Sequence, residues 1–232
     1  MRLLAIETAT AVTAIAVDGG DVAREVVVDD ARRHTEVLAP SIVTLLAEVG
    51  WSASGLQGIV VDIGPGLFTG LRVGVATAKG LSVATGVRIF AVTSTDALAA
   101  AACEAGVTGR VVTVVDARRK EVFAAVYDCA PEGATLVDDV ALATPASLAA
   151  LLGASDGPGT LVGDGAVRHR EALDGVPWLI RDDLVVPSPG AAARLVQRRA
   201  AAGERPSDHA EVHPWYVREA DAVANFAVRE TP

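Results

Sequence analysis

Only two cysteines occur in the 232 residues, Cys103 and Cys129. Neither has a neighbour at the close spacing of a metal or redox motif, so two inert buried thiols are expected. No uninterrupted apolar run approaches the roughly 18 residues of a membrane span, because charges such as Lys79 break the longest ones. Cations are in deficit, with 20 Lys and Arg against 29 Asp and Glu and a net charge of −9. Phosphate contacts need clustered Lys and Arg, so the chain is not expected to grip nucleic acid over a broad face by itself. Any nucleic-acid role would be shared with a more basic partner. The P-loop Lys-Ser/Thr pair, the G-x-G-x-x-G spacing and the G-x-S-x-G nucleophile setting are all missing. The opening Met1 to Glu7 carries an early acid and reads as a strand rather than a signal peptide, which favours a cytoplasmic location and no membrane partner.

What the chain does have is a glycine motif, Gly64-Pro65-Gly66-Leu67-Phe68-Thr69-Gly70-Leu71-Arg72-Val73-Gly74, placed after the apolar run Ile59 to Ile63. It opens a helix-like segment that reaches about Ala84. Gly66, Gly70, Gly74, Ala78 and Ser82 are all small and four apart, which puts them on one helix face. Interior glycines cost about 1 kcal/mol each relative to alanine, so a close packing contact must compensate. That contact is either the chain's own sheet or a partner. A phosphate at the helix N-terminus is a third reading.

Along the chain, Leu3 to Ile6, Val12 to Val17 and Val22 to Val28 read as an antiparallel meander. Thr35 is placed to cap a helix carrying Leu38, Ile42, Leu45 and Val49 on one face, with Pro40 disturbing its first turn. A strand over Ile59 to Ile63, the glycine helix, a strand over Arg88 to Val92 and an alanine-rich helix after Ser94 follow in β-α order. The pattern then repeats. Strands are predicted over Arg110 to Val115, Glu121 to Tyr127 and Ala134 to Leu142, a helix over Pro145 to Leu152, strands at Leu161 to Gly163 and Trp178 to Ile180, and a helix over Gly190 to Ala202. Two such halves predict a duplicated α/β fold, divided as residues 1–107, 108–205 and a tail of 206–232.

Six stretches carry a resemblance. They are Leu4-Ala5-Ile6-Glu7-Thr8-Ala9-Thr10, Arg33 to Pro40, the glycine motif continued to Ala78-Lys79-Gly80-Leu81, Asp116-Ala117-Arg118-Arg119-Lys120-Glu121-Val122-Phe123, Gly163-Asp164-Gly165-Ala166, and Pro214 to Arg218. In that order the chain resembles the TsaB (YeaZ) family of tRNA threonylcarbamoyladenosine biosynthesis. Glu7 stands where the family usually has aspartate and Leu67 where it usually has serine. The resemblance implies an actin-like (ASKHA, ribonuclease H-like) fold, two halves each with a mixed sheet flanked by helices.

It also implies a non-catalytic subunit that pairs with a TsaD-type transferase and works with a TsaE-type ATPase. The group transferred would be threonylcarbamoyl, the acceptor the adenosine beside the anticodon of tRNAs reading codons that start with A. ATP and metal are expected on the partner subunits, tRNA is expected to be met only through the complex, and the docking face could instead pair two copies of the chain as a homodimer when the partner is absent. The transferase subunit of that system holds its metal with two histidines four apart on a helix, one face apart by a turn. Here His34 is followed four residues on by Leu38, so His34 is expected to be a helix-start or surface residue. His209 and His213 have the spacing but lie in a loop-like segment ending at Pro214, and no metal is expected there either.

For the docking face the sequence offers Leu38, Ile42, Phe68, Leu71 and Val75 as apolar contacts, the small residues Gly66, Gly70, Gly74 and Ala78 as a close-approach ridge, and Arg72 and Lys79 as polar edges. Glu7, Thr8 and Thr10 are the candidates for nucleotide contacts. The alternative function is an actin-like ATPase or small-molecule kinase acting on its own. A metallopeptidase is a more distant reading, since it needs the histidine pair that Leu38 interrupts. Asp116 with Arg118, Arg119 and Lys120 is basic enough to touch RNA or an acidic partner, or is a solvated hairpin tip. The glycines of Gly163-Asp164-Gly165 fit either approach to a nucleotide or a tight turn.

Overall fold

Apolar runs buried along their length make β1 (Leu3–Glu7) and β2 (Thr13–Gly19), the more exposed β3 (Val22–Val28) lies at the sheet edge, and short connections pair all three antiparallel. The computed structural model describes residues 1–28, 34–155 and 157–217. After the meander come α1 (His34–Glu48), β4 (Gly58–Asp62), α2 (Phe68–Thr85), β5 (Ile89–Val92) and α3 (Ser94–Glu104). Strands β4 and β5 extend the sheet in parallel, giving the order β3-β2-β1-β4-β5.

The second half has β6 (Gly109–Arg118), β7 (Glu121–Ala130), β8 (Gly133–Ala143), α4 (Pro145–Gly153), β9 (Gly159–Val162), α5 (Asp164–Arg168), α6 (Arg170–Leu173), β10 (Trp178–Ile180) and α7 (Pro189–Ala201). Its sheet order is β10-β9-β6-β7-β8, the first order in reverse reading, with the same antiparallel and parallel pairs. This repeated topology is the duplicated α/β fold that the sequence predicts, with a mixed five-stranded sheet in each half. The two short helices α5 and α6 have no counterpart in the sequence reading, because five and four residues are too few to show a period.

Helix α3 lies between the sheets. Ala97 and Ala100 face Leu3, Ala5 and Val60 of the first core, while Leu98 and Ala102 face Val111, Val115 and Val162 of the second. Its alanines let both sheets approach one helix closely. Tyr127 of β7 ties the lobes further, donating its hydroxyl to Thr95 and Asp96 on α3.

Three expectations are corrected. Helix α7 does not belong with the second lobe: Ala191, Leu195 and Val196 pack into the first core, and Glu25 of β3 accepts from the Ser188 hydroxyl and the Gly190 N–H. A segment read by sequence position alone as part of 108–205 thus returns to the first sheet. The tail is not separate either, since Ser207 bridges Ile89, Val212 is buried in the first core and Val217 packs on the second. The third concerns Cys103 and Cys129, which are joined as a disulfide with Cα atoms 5.5 Å apart rather than standing as separate thiols. They are 26 residues apart in sequence, and only the approach of α3 to β7 brings them together.

Among the described residues no helix is long and apolar enough to cross a membrane.

Candidate functional site

The glycine motif forms the turn from β4 into α2. Gly64 has φ +115°, a conformation that excludes most other residues, and its N–H donates to Asp62 Oδ1 at 2.7 Å. The Leu67 N–H donates to the Ala9 carbonyl at 2.6 Å, so the helix entry is held by the loop after β1 and not by a side-chain cap. A serine at this position would supply the hydroxyl that Leu67 lacks.

From this entry the small ridge runs against β1. A Cβ on Gly66 would fall on the Ala9 carbonyl, one on Gly70 on the Thr8 carbonyl and one on Gly74 on the Thr8 hydroxyl, all closer than 3.0 Å. The Thr8 hydroxyl also donates to the Gly70 carbonyl at 2.8 Å. The ridge is therefore internal, and assigning Gly66, Gly70, Gly74 and Ala78 to a partner face is corrected. Leu38, Ile42 and Val75 are likewise buried, in one core with Leu4, Ile6 and Ile15, and Leu71 is buried in the chain's own interior too. Four-residue spacing identifies a face but not what it meets.

Of the proposed docking residues, Phe68, Arg72 and Lys79 keep surface. Phe68 and Arg72 are already engaged by the tail. The rings of Phe68 and Tyr216 lie with centroids 4.8 Å apart, tilted by 33°, the Arg72 guanidinium lies 3.6 Å over the Phe68 ring, and Arg72 Nε donates to the Tyr216 hydroxyl at 2.9 Å. Trp215 anchors this segment by donating its N–H to the Ile63 carbonyl. The outer surfaces of α1 and α2 still present Val43 and Val83, each about two-thirds exposed at 68% and 66%.

Beside the turn, the carboxyl ends of β1 and β4 put Glu7 and Asp62 together in the interior. Burial raises the Glu7 carboxyl well above its ordinary value, and the neighbouring Asp62 charge raises it further. Asp62 is raised by burial too, against the bonds it accepts from the Gly64 N–H and the Ser94 hydroxyl. Burial therefore favours the protonated form within this pair more than it would at a lone surface carboxyl. Glu7 Oε1 accepts from the Ala9 N–H at 2.7 Å. Thr8 and Thr10 are buried alongside.

The Thr10 hydroxyl has no hydrogen-bond partner among the described residues, and the three residues offered for nucleotide contacts, Glu7, Thr8 and Thr10, lie together in the interior beside the turn. His34 opens α1 as expected but is buried, with Nδ1 2.6 Å from the Thr13 hydroxyl, so its surface placement is corrected as well. Thr35 lies inside the helix, not at its cap. Arg33 and Arg218, at the ends of two of the resemblance stretches, fall outside the described residues. His209 pairs with Asp208 at 3.1 Å, His213 is exposed, and no group of three metal-ligating side chains is present among the described residues.

In the second lobe the tip between β6 and β7 is not simply solvated. Asp116 is buried and accepts from the Arg118 N–H at 3.1 Å. Its Oδ2 lies 3.2 Å from the Arg118 guanidinium and 3.4 Å from that of Arg168. Asp164 accepts the Asp116 N–H at 2.9 Å, and burial raises the Asp164 carboxyl above its ordinary value. The glycine before it is explained by packing, since a Cβ on Gly163 would strike the Val114 carbonyl. The burial of Asp116 is the feature that sequence reasoning missed, and a lone aspartate beside three cations gives no signal of it.

Comparison with known proteins agrees with this architecture. The family model for TsaD, tRNA N6-adenosine threonylcarbamoyltransferase, matches residues 7–173. The tRNA threonylcarbamoyladenosine biosynthesis protein TsaB of Escherichia coli is 31% identical over 127 residues, which are 55% of this chain and 55% of that protein. An uncharacterized protein of Mycobacterium leprae is 44% identical over 130 residues, covering 54% of this chain and 35% of its own length. The chain thus spans between a third and about half of these two relatives. Among solved structures, YeaZ from Pseudomonas aeruginosa superposes with a TM-score of 0.82 at 26% identity, covering 93% of this chain and 99% of that one.

Proposed function

The chain belongs to the TsaD family, in its TsaB (YeaZ) branch, and from that premise we propose that it is a non-catalytic subunit of a tRNA threonylcarbamoyladenosine synthase. In this reading it pairs with a TsaD-type transferase subunit and, with a TsaE-type ATPase, supports transfer of threonylcarbamoyl to the adenosine beside the anticodon. ATP and metal are held by those partners, and tRNA is met through the assembly. The observation that supports the non-catalytic part is the interrupted histidine pair of α1, where buried His34 is held by the Thr13 hydroxyl and the position one turn on is the core residue Leu38.

With the glycine ridge internal, the docking face moves to the outer surface of α1 and α2. Val43 and Val83 supply its apolar contacts and Lys79 its charged edge. The same surface serves a second copy of the chain when the transferase subunit is absent.

Calorimetric titration of the full chain tests this reading. It predicts a saturable one-to-one complex with the TsaD-type subunit of the same genome, and no heat with magnesium ATP alone. Stoichiometric ATP binding accompanied by turnover in the isolated chain would replace it with the ATPase reading.

A further inference from the structure

The hairpin joining β6 to β7 is built against its own backbone preference. Arg118 pairs with Glu121, leaving Arg119 and Lys120 as a two-residue loop. Both have positive φ, +52° and +63°, and Arg118 before them is at +62°. Loops of this class favour Asn-Gly or Asp-Gly, because those residues enter the left-handed region most readily. In the first lobe the loop between β2 and β3 does place a glycine, Gly20, at φ +62°. The second lobe holds three long cations in the same region instead. Such outliers persist where the surroundings hold them, and they concentrate at functional positions.

The surroundings here are specific. Buried Asp116 fixes the Arg118 backbone by accepting its N–H, and gathers the guanidiniums of Arg118 and Arg168 onto one oxygen. Both arginines remain about half exposed, at 43% and 58%. Arg119 and Lys120 stand exposed beside them. Arg118 and Arg168 share this internal carboxylate with His169, whose Nε2 lies 3.6 Å from Asp116 Oδ1, and with Arg119 and Lys120 next in the loop they make a basic point on a chain of net charge −9. A planar guanidinium held at one end by a carboxylate is presented with its remaining donors in fixed directions, which suits phosphate oxygens.

We infer that this tip, Arg118, Arg119 and Lys120 with Arg168, is a contact for the phosphate backbone of RNA. The inference rests on the proposed role in tRNA modification and deepens it. The chain then adds a short basic edge to a binding surface whose larger part lies on the partner, consistent with its own acidic balance. An acidic protein surface is the competing occupant, and the test separates the two.

The test is the double variant Arg119→Asn with Lys120→Gly, which gives the loop its preferred residues while removing two charges. The full chain is assembled with the TsaD-type subunit of the same genome, and the affinity for an unmodified tRNA transcript is followed against salt concentration. Association of the two subunits and the melting temperature of the isolated chain are measured in parallel. The expected result is an unchanged or higher melting temperature, unchanged subunit association, and tRNA affinity lowered about tenfold with a salt slope smaller by about two. Arg119→Lys, which retains the charge, should restore most of the affinity when Lys120 is intact. Wild-type affinity and slope in the double variant would overturn the inference while leaving the subunit role standing. Loss of subunit association would also overturn it, assigning the tip to a protein contact. Failure of the wild-type pair to associate would remove the proposed function and this inference together.

Discussion

The Thr8 hydroxyl donates to the Gly70 carbonyl at 2.8 Å, and the Thr8 carbonyl occupies the place that any side chain at position 70 would need. Helix α2 and the loop after β1 are thus in backbone contact, and the glycines that look like an interface motif are structural. Gly70→Val should destabilise the folded chain by about 3 kcal/mol, as expected for overpacking against backbone that cannot yield. Thermal or urea unfolding measures this. A variant with unchanged stability and lost partner binding would return the ridge to the interface.

The exposed surface of the same helices predicts the opposite behaviour. Val43→Asp and Val83→Asp should each leave stability within about 0.5 kcal/mol of the parent, since neither side chain is buried. Each should weaken association with the TsaD-type subunit at least tenfold, a loss of about 1.4 kcal/mol. Calorimetric titration of folded variants decides. Parental affinity in both would move the docking face elsewhere.

Glu7 makes stability depend on pH. Its folded carboxyl keeps a proton to higher pH than the unfolded one, so the folded state binds more protons above the ordinary glutamate value of about 4.3. Stability contributed at low pH is therefore lost as the pH rises through the raised folded value. Glu7→Gln cannot titrate and retains a donor toward Asp62, so its stability relative to the parent should improve as pH increases. A difference between the two that stays constant from acid to neutral pH would contradict the shared-proton arrangement.

Tyr216 fastens the tail over the entry of α2 through Phe68 and Arg72. Tyr216→Ala should remove about 1 kcal/mol of aromatic contact and speed proteolytic cleavage after His213, while the lobes stay folded. Tyr216→Phe keeps the ring contact and loses only the bond from Arg72, so it should fall between. Equal cleavage rates in all three chains would mean that the ring contact does not hold the segment.

Most strands and long helices were legible in the sequence because apolar runs bounded by turn residues mark the strands and apolar positions three or four apart mark the helices. Leu3 to Ile6 and the positions Leu38, Ile42 and Leu45 of α1 are examples. Their long-range placement was not. Nothing in the composition of Gly190 to Ala202 tells that this helix returns to the first sheet; that is decided by Glu25 and the small residues of α7. For the candidate site, spacing located the glycine face but could not say that Thr8 and Ala9 lie against it. Nor could it show that Glu7 meets Asp62, 55 residues away, or that Asp116 sinks beneath its own cations, because each depends on how strands register across the sheet.

The most direct measurement is transfer of labelled threonylcarbamoyl from its adenylate to an unmodified tRNA. Three mixtures are compared: this chain alone, the TsaD-type and TsaE-type proteins of the same genome without it, and all three together. The account predicts product only in the complete mixture. Product from this chain alone would contradict it, and would make the buried pair Glu7 and Asp62 the first candidates for an active site.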